Sequence, residues 1–266
     1  MKWSEKAEEA VKKVPFFVRK KVKQKIEAHV IKKGKNCVEL EDVKASKKQF
    51  LATMATDIKG YQAEVCFGAY GCPNIANSSE SLMKKAEKIL ADGNILEFLK
   101  KNVQGDLKYH HEFRITAADC PNACSRPQIQ DVGIIGALLP HVTDRECTMC
   151  NACVEACQEN AVTLDLTSEM PVINFDECLM CGKCSEICST GTISEEKRGF
   201  RVQLGGRLGR HPRLAMEIPG LLSEDEVLSV LKRSIEFYKT NSTNGKRFSH
   251  IFEKKDIKEI RELPKK

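Results

Sequence analysis

The sequence predicts an α+β fold in which a small helical domain comes first and a cysteine-rich insert interrupts the body. Three observations carry this. Apolar residues recur at helical spacing within 1–46, 80–103 and 223–240, and alternate as in strands at 109–116 and 199–204. Twelve of the thirteen cysteines lie between residues 66 and 188, eight of them in 147–188. Charge also divides the chain: residues 1–50 hold 15 Lys and Arg against 7 Asp and Glu, residues 141–196 only 2 against 11. The expected segments are a helical domain over 1–46, a first body segment over 47–140, an insert over 141–196, a second body segment over 197–247 and a polar tail over 248–266.

In the head, Val11, Val14, Val18, Val22 and Ile26 form one apolar stripe between lysines. Pro15 divides it into two helices, because it removes a backbone donor. Leu82, Met83, Ala86, Ile89 and Leu90 mark a further helix, and Ile95, Phe98 and Leu99 the next, with a break at Asp92–Gly93–Asn94. Tyr109–Thr116 reads as a strand that turns one of His110 and His111 inward, and Gly199–Leu204 as a second that ends on Gly205–Gly206. Ser223 is the expected N-cap of the last helix. Asp225 and Glu226 follow in its first turn, and Val227, Leu228, Val230, Leu231 and Ile235 form its apolar face.

Composition narrows the function classes. The chain of 266 residues is 41% hydrophobic and 30% charged with a net charge of +6, the balance of a soluble globular protein. No apolar stretch reaches the roughly 18–20 residues that span a bilayer. The start, MKWSEKAEEAVKK, lacks the apolar core of a signal peptide, so a cytoplasmic location without a membrane span is expected. Aromatic content of 6% gives little material for base stacking, and no nucleic-acid partner is expected. In such a compartment thirteen cysteines point to metal or cluster ligation rather than disulfides.

The cysteines sort into three sets. Cys147, Cys150, Cys153 and Cys157, then Cys178, Cys181, Cys184 and Cys188, repeat the pattern C-x2-C-x2-C-x3-C. This resembles a bacterial-type ferredoxin holding two [4Fe-4S] clusters. Three closely spaced thiolates wrap three corners of one cube and the remote cysteine closes the other. Cys157 would therefore join Cys178, Cys181 and Cys184, and Cys188 would join Cys147, Cys150 and Cys153. A pair of zinc sites is the alternative. Gln158 and Ser189 stand where such ferredoxins carry proline.

The second set is Cys66 and Cys72 in CFGAYGCPN with Cys120 and Cys124 in CPNAC. C-x5-C followed about fifty residues later by C-x3-C resembles the sirohaem and [4Fe-4S] signature of the sulfite and nitrite reductase family. Arg114–Thr116, Pro121–Asn122, Arg126, the run Asp131–Gly136 and FRVQLGGRLGRHPRLA at 200–215 extend the likeness, which covers roughly 60–240. Ala118–Asp119 lengthen the usual spacing before Cys120. A structural zinc at these four cysteines is the alternative. Cys37 stands alone and reads as a plain thiol. Trp3, Ala7, Val14–Arg19 and Glu27–Ala28 resemble a small helical domain of a light-independent protochlorophyllide reductase subunit.

The resemblance implies a sulfite-reductase-like fold, three [4Fe-4S] clusters and a sirohaem. Cys124 would bridge the body cluster to the haem iron. Asn122, Arg126, Gly205, Gly206 and Arg207 would lie against the haem, and Arg114, Arg126 and Arg207 would act on the anion, with Arg210 and Arg213 as further candidates. Guanidinium forks suit both tasks because they pair bidentately with oxyanions. His110 or His111 could ligate a haem, but a histidine satisfied within its strand is the plainer reading.

The implied activity is six-electron reduction of sulfite or nitrite, fed through the ferredoxin insert by an external donor, ferredoxin-like or a further subunit. The chain carries one of the family's two halves, so a second copy or another subunit is expected to complete the haem site. The alternative is an iron–sulfur electron-transfer protein without a complete sirohaem site. A tetrapyrrole-binding or tetrapyrrole-delivery role rests on the head alone.

Overall fold

A computed structural model describes residues 1–14 and 16–261. It divides the chain into two units, one of residues 1–58 with 105–110, the other of 59–104 with the chain from 111 onward. In the first, a short parallel pair of β1 (Lys2–Trp3) and β2 (Cys37–Val38) accompanies α1 (Glu5–Lys12), α2 (Phe16–Lys32) and α3 (Leu40–Asp57). Ala7, Ile26, Val30 and Val38 form its core, with Trp3, Val22 and Val43 packed against them. The Trp3 indole donates to Glu27 Oε1 at 2.7 Å, and Lys23 Nζ stands 4.7 Å from the ring centroid. The boundary expected at 46 falls inside α3, which has no glycine or proline to stop it. The break expected at Pro15 lies outside the described residues.

The second unit is built on a five-stranded sheet. In chain order its elements are β3 (Tyr61–Val65), α4 (Glu80–Asp92), α5 (Ile95–Asn102), β4 (Phe113–Ala118) and β5 (Val132–Val142). The insert follows with α6 (Ala152–Ala156), β6 (Val162–Asp165), β7 (Met170–Ile173) and α7 (Lys183–Ile187). The chain returns through β8 (Ile193–Leu204), β9 (Met216–Leu222), α8 (Glu224–Asn241), α9 (Phe248–Ile251) and α10 (Ile257–Arg261). Strand order is β3-β4-β5-β8-β9. The first three run parallel, while β8 is antiparallel to both β5 and β9. β4 and β5 are buried along nearly their whole length, as strands covered on both faces must be.

β5 and β8 stay paired out to Val142↔Ile193, so the insert hangs from a long antiparallel pair and is confined to 143–192 rather than 141–196. Their register shifts between Leu139 and Pro140, where proline supplies no donor. Ser223 and Glu226 form the capping box of α8, each side chain accepting the other's backbone N–H.

Two expectations need correction. Tyr109–His111 form a 3-10 turn and the strand starts at Phe113, so neither histidine sits on it. Residues 248–261 are not simply a polar tail. Phe248 and Phe252 are 1% and 0% exposed and stack at 5.0 Å between centroids, with Phe113, Phe237 and Tyr238 around them. Aromatic burial outweighs the polar composition there. Phe252→Ala is expected to destabilise this unit by about 3–5 kcal/mol in urea unfolding, the range for truncating a buried aromatic. A solvated tail would show no change.

Candidate functional site

β3 and β4 pair in the register Tyr61↔Phe113 to Val65↔Ala117, so both leave the sheet at the same edge. Val65 leads into Cys66, the turn Gly68–Tyr70 and Cys72, and Ala118 leads through Asp119 to Cys120 and Cys124. The Cys66 N–H donates to Ala117 O at 2.9 Å and extends the pairing by one step. The four thiols are thereby gathered. Burial pushes the Cys120 thiol up, the Asn122 N–H opposes this, and charge on Cys72, Cys124 and Cys66 adds to it. Cys66 Sγ accepts N–H bonds from Gly68 at 3.4 Å and from Asp119 at 3.3 Å. Cys120 is buried, Cys66 and Cys72 half-buried, and Cys124 exposed.

The insert repeats one local design twice. Met149 N–H donates to Cys147 Sγ and Met180 N–H to Cys178 Sγ, both at 3.4 Å. Met149 and Asn151, then Met180 and Gly182, have positive φ, and α6 and α7 follow as five-residue helices. Each run ends on a sulfur that accepts an N–H, Cys157 from Ala161 at 3.2 Å and Cys188 from Ile193 at 3.3 Å. Of nine non-glycine residues at positive φ among the described residues, six lie in or beside the cysteine loops: Ala123, Arg126, Met149, Asn151, Asn160 and Met180. Backbone strain is therefore concentrated where the thiols are presented.

The thiols group across the two runs. Burial pushes Cys184 up to about 12, with charge on Cys178, Cys181 and Cys157 adding to it. Cys153 is raised by burial and by charge on Cys147 and Cys188, against N–H bonds from its own and the Val154 amide. Burial also acts on Cys188, but N–H bonds from Ile193, Gly191 and Thr192 and the Thr190 hydroxyl outweigh it and leave the thiol low. Cys157 thus lies with the second run and Cys188 with the first.

Thiols in sets of four, several of them accepting backbone N–H bonds, suit an iron–sulfur cluster, whose thiolates bind separate irons and are stabilised by bonds to sulfur. Among the described residues no three His, Cys, Asp or Glu side chains converge as ligands of one metal ion. Cys124 is exposed, with Asn122 and Arg126 exposed on either side of it.

One insert set faces the body. A cavity of about 270 Å³ is bordered by Cys120, Pro121 and Asn122 on one side and by Cys157, Cys178, Cys181 and Cys184 on the other. The second insert loop is held there by Leu138 N–H donating to Met180 O at 2.8 Å and Lys183 Nζ donating to Pro73 O at 3.1 Å.

The glycine turn goes elsewhere. Gly205 and Gly206 donate their N–H groups to Asp131 O and Gln130 O, level with Val132 at the end of β4 opposite Cys120. The Arg207 guanidinium donates to the carbonyls of His211 and Ser249, and that of Arg213 to those of Gly205, Ser249 and Phe252. Arg114 donates its backbone N–H to Asp131 Oδ2 at 3.0 Å, and Arg210 is exposed. Sequence reasoning passed over the role of Asp131. It is 1% exposed, pairs with Arg247 at 3.2 Å and accepts the Ser249 N–H. These last two partners lie some 115 residues on, beyond the reach of any local signal.

The family model described as the nitrite and sulphite reductase 4Fe-4S domain matches residues 62–266. The chain belongs to that family. Residues 3–47 match the model described as the proto-chlorophyllide reductase 57 kD subunit. The chain is 28% identical over 218 residues to the coenzyme F420-dependent sulfite reductase of Methanocaldococcus jannaschii, covering 79% of this chain and 33% of that protein. It is 29% identical over 205 residues to one of the subunits of the anaerobic sulfite reductase of Salmonella typhimurium, covering 76% and 54%. The chain thus spans about a third and about half of the lengths of these relatives. Dissimilatory sulfite reductase I matches with a TM-score of 0.51 at 14% identity, over 75% of this chain and 51% of that one, which places the body in the sulfite reductase fold.

Gly136 offers a direct test of how the reductase-family body holds its thiols. A Cβ there would stand 2.2 Å from Asn77 O and 2.7 Å from Asp119 O, both backbone atoms that cannot swing aside. Gly136→Ala is expected to loosen residues 76–79 from β4 by about 1–3 kcal/mol. In the cluster-free chain this reads as alkylation of Cys120 faster by about five- to hundred-fold, through local opening, with the insert thiols unchanged.

Proposed function

We propose that this chain is the cluster- and sirohaem-binding part of a sulfite reductase, carrying electrons from its insert to a bound anion. The observation that carries the proposal is the shared cavity between Cys120 and the Cys157, Cys178, Cys181 and Cys184 set, in a chain of this family. Cys66, Cys72, Cys120 and Cys124 hold the body cluster. Cys157, Cys178, Cys181 and Cys184 hold the near insert cluster, and Cys147, Cys150, Cys153 and Cys188 the far one. The far cluster receives electrons from a donor, ferredoxin-like or a further subunit, and the acidity of the insert suits a basic docking face.

Sirohaem, when bound, supplies the iron face at which sulfite takes up six electrons. The chain's own part would be to offer Cys124, with Asn122 exposed beside it, as the thiol facing that group, while Gly205 and Gly206 would act from the other end of β4 by setting the 205–213 turn. Arg126, exposed beside Cys124, would pair with the anion or a haem carboxylate, whereas Arg114 stands at the other end of β4, where its N–H holds Asp131. Arg207 acts through the 205–213 turn, since its fork already holds two carbonyls. Sulfite is preferred over nitrite because the relatives above are named sulfite reductases.

A second copy or another subunit completes the site. Val65, Phe67 and Tyr70 beside Cys66, and Leu208 and Leu214 in the glycine turn, are large apolar side chains left exposed where a partner would cover them. Among the described residues no helix is long and apolar enough to cross a membrane. A cytoplasmic, oxygen-poor setting suits exposed cubes.

The engagement of Arg207 and Arg213 with carbonyls supports the second reading, an electron-transfer subunit that binds no sirohaem of its own. An absorption spectrum of anaerobically purified protein, with acid extraction of porphyrin and an iron count, separates the two. Extracted sirohaem with about twelve cluster irons and one haem iron is the expected result, followed by sulfide production from sulfite. About twelve irons without porphyrin, from cells that make sirohaem, contradict the reductase reading.

A further inference from the structure

Asp119 has no part in the assignments above, yet it joins three segments around the body thiols. It is 4% exposed. Its backbone N–H donates to Cys66 Sγ at 3.3 Å, and its carbonyl accepts from Ala76 N–H at 2.9 Å and Asn77 N–H at 3.1 Å. Its carboxylate Oδ1 accepts both the N–H of Ser79 at 2.9 Å and its hydroxyl at 2.6 Å. Oδ2 lies so close to Gly68 that a Cβ there would stand 2.4 Å from it. Gly68 itself donates to Cys66 Sγ. The carboxylate is therefore packed against the turn that presents Cys66.

The groups that hold this carboxylate are neutral. A cavity of about 250 Å³ beside it is lined by Cys66, Ser79 and Met83, with Glu80, Lys84 and Glu87 also on its wall. Lys84 is paired with Glu80 at 2.6 Å and both are exposed, so the one cation at the cavity is already matched and screened by water. A buried charge with neutral partners acts on its surroundings with little damping.

We propose that Asp119 is a positioning residue for the body cluster: it clamps the Cys66 turn and holds the cluster's reduction potential down. The inference rests on reading Cys66, Cys72, Cys120 and Cys124 as cluster ligands. A cube that accepts an electron becomes more negative, and a fixed carboxylate nearby opposes that step. Net charge and hydrogen bonds around the sulfurs are the levers that set such potentials. The result is a cluster that, once reduced, is a stronger donor.

The test is an EPR-monitored redox titration of the full, cluster-loaded chain, comparing wild type with Asp119→Asn and Ser79→Ala. Asp119→Asn keeps the shape and an acceptor for Ser79 but removes the charge. The body cluster's midpoint is expected to rise by about a tenfold change in its reduction equilibrium, 59 mV for one electron, while the insert clusters keep theirs. Ser79→Ala leaves the charge and removes one hydrogen bond that disperses it, so the same midpoint moves the other way. A clamp without an electrostatic role would not give opposite signs.

An unmoved midpoint in Asp119→Asn, or shifts of the same sign in both variants, overturns the proposal. Should Asp119→Asn lose the body cluster, Ser79→Ala decides alone, a downward shift supporting the role and an unchanged midpoint overturning it. A wild-type chain that holds only the two insert clusters overturns the ligand reading and this inference with it. A wild-type chain with all three clusters and an indifferent Asp119→Asn overturns the inference alone.

Discussion

Two parallel strands must release their following loops at the same edge, and in this protein that constraint builds the site. Val65 on β3 and Ala117 on β4 are register partners, and the next residue, Cys66, still bonds to Ala117 O. Cysteines about fifty residues apart in the chain thereby stand side by side. An antiparallel pairing would send the two loops to opposite ends. Ligand sites beyond the carboxyl ends of parallel strands follow the same logic in open α/β sheets. The remaining architecture secures this edge: β5 approaches through Gly136, α4 starts at the anchored Ser79, and the aromatic cluster around Phe248 buries the other end of β4.

The insert meets that edge because of how it is suspended. β5 and β8 carry it as the two limbs of one antiparallel pair, and Leu138 binds the loop at Met180 directly. The internal repeat then fixes which thiols face inward. In the proposed ligand sets the fourth cysteine is exchanged between the runs, so each set draws on both. Left-handed residues such as Met149 and Met180, each costing roughly 1–2 kcal/mol, aim N–H groups at Cys147 and Cys178. A plain turn would leave those sulfurs without donors.

Much of this was legible in the sequence. Cysteine spacing suggests the sets proposed above, and the Ser223 cap and the Gly93–Asn94 break are local signals that the structure repeats. Less legible were the edge strands. β3 carries Gln62 and Glu64 and is largely exposed, and β9 contains Pro219 and Gly220, so neither shows an apolar pattern. Phe248 and Phe252 looked isolated in a polar stretch because their partners, Phe113 and Phe237, come from other elements. His110 and His111 alternate with their neighbours as a strand would, but the chain turns before β4 begins. The arginines were the hardest to read. Their residue type announces anion binding, whereas Arg207 and Arg213 spend their donors on carbonyls of a segment some forty residues away.

The central claim is that the Cys157 set stands next to the body cluster and passes electrons to it. Low-temperature EPR of the partly reduced chain, wild type against Cys157→Ser, tests this most directly. The account predicts a body-cluster signal split by magnetic interaction with a neighbouring reduced cluster, and a simple unsplit signal once Cys157→Ser has removed that neighbour. A body-cluster signal that is unsplit in the wild type, or equally split in both proteins, would contradict it.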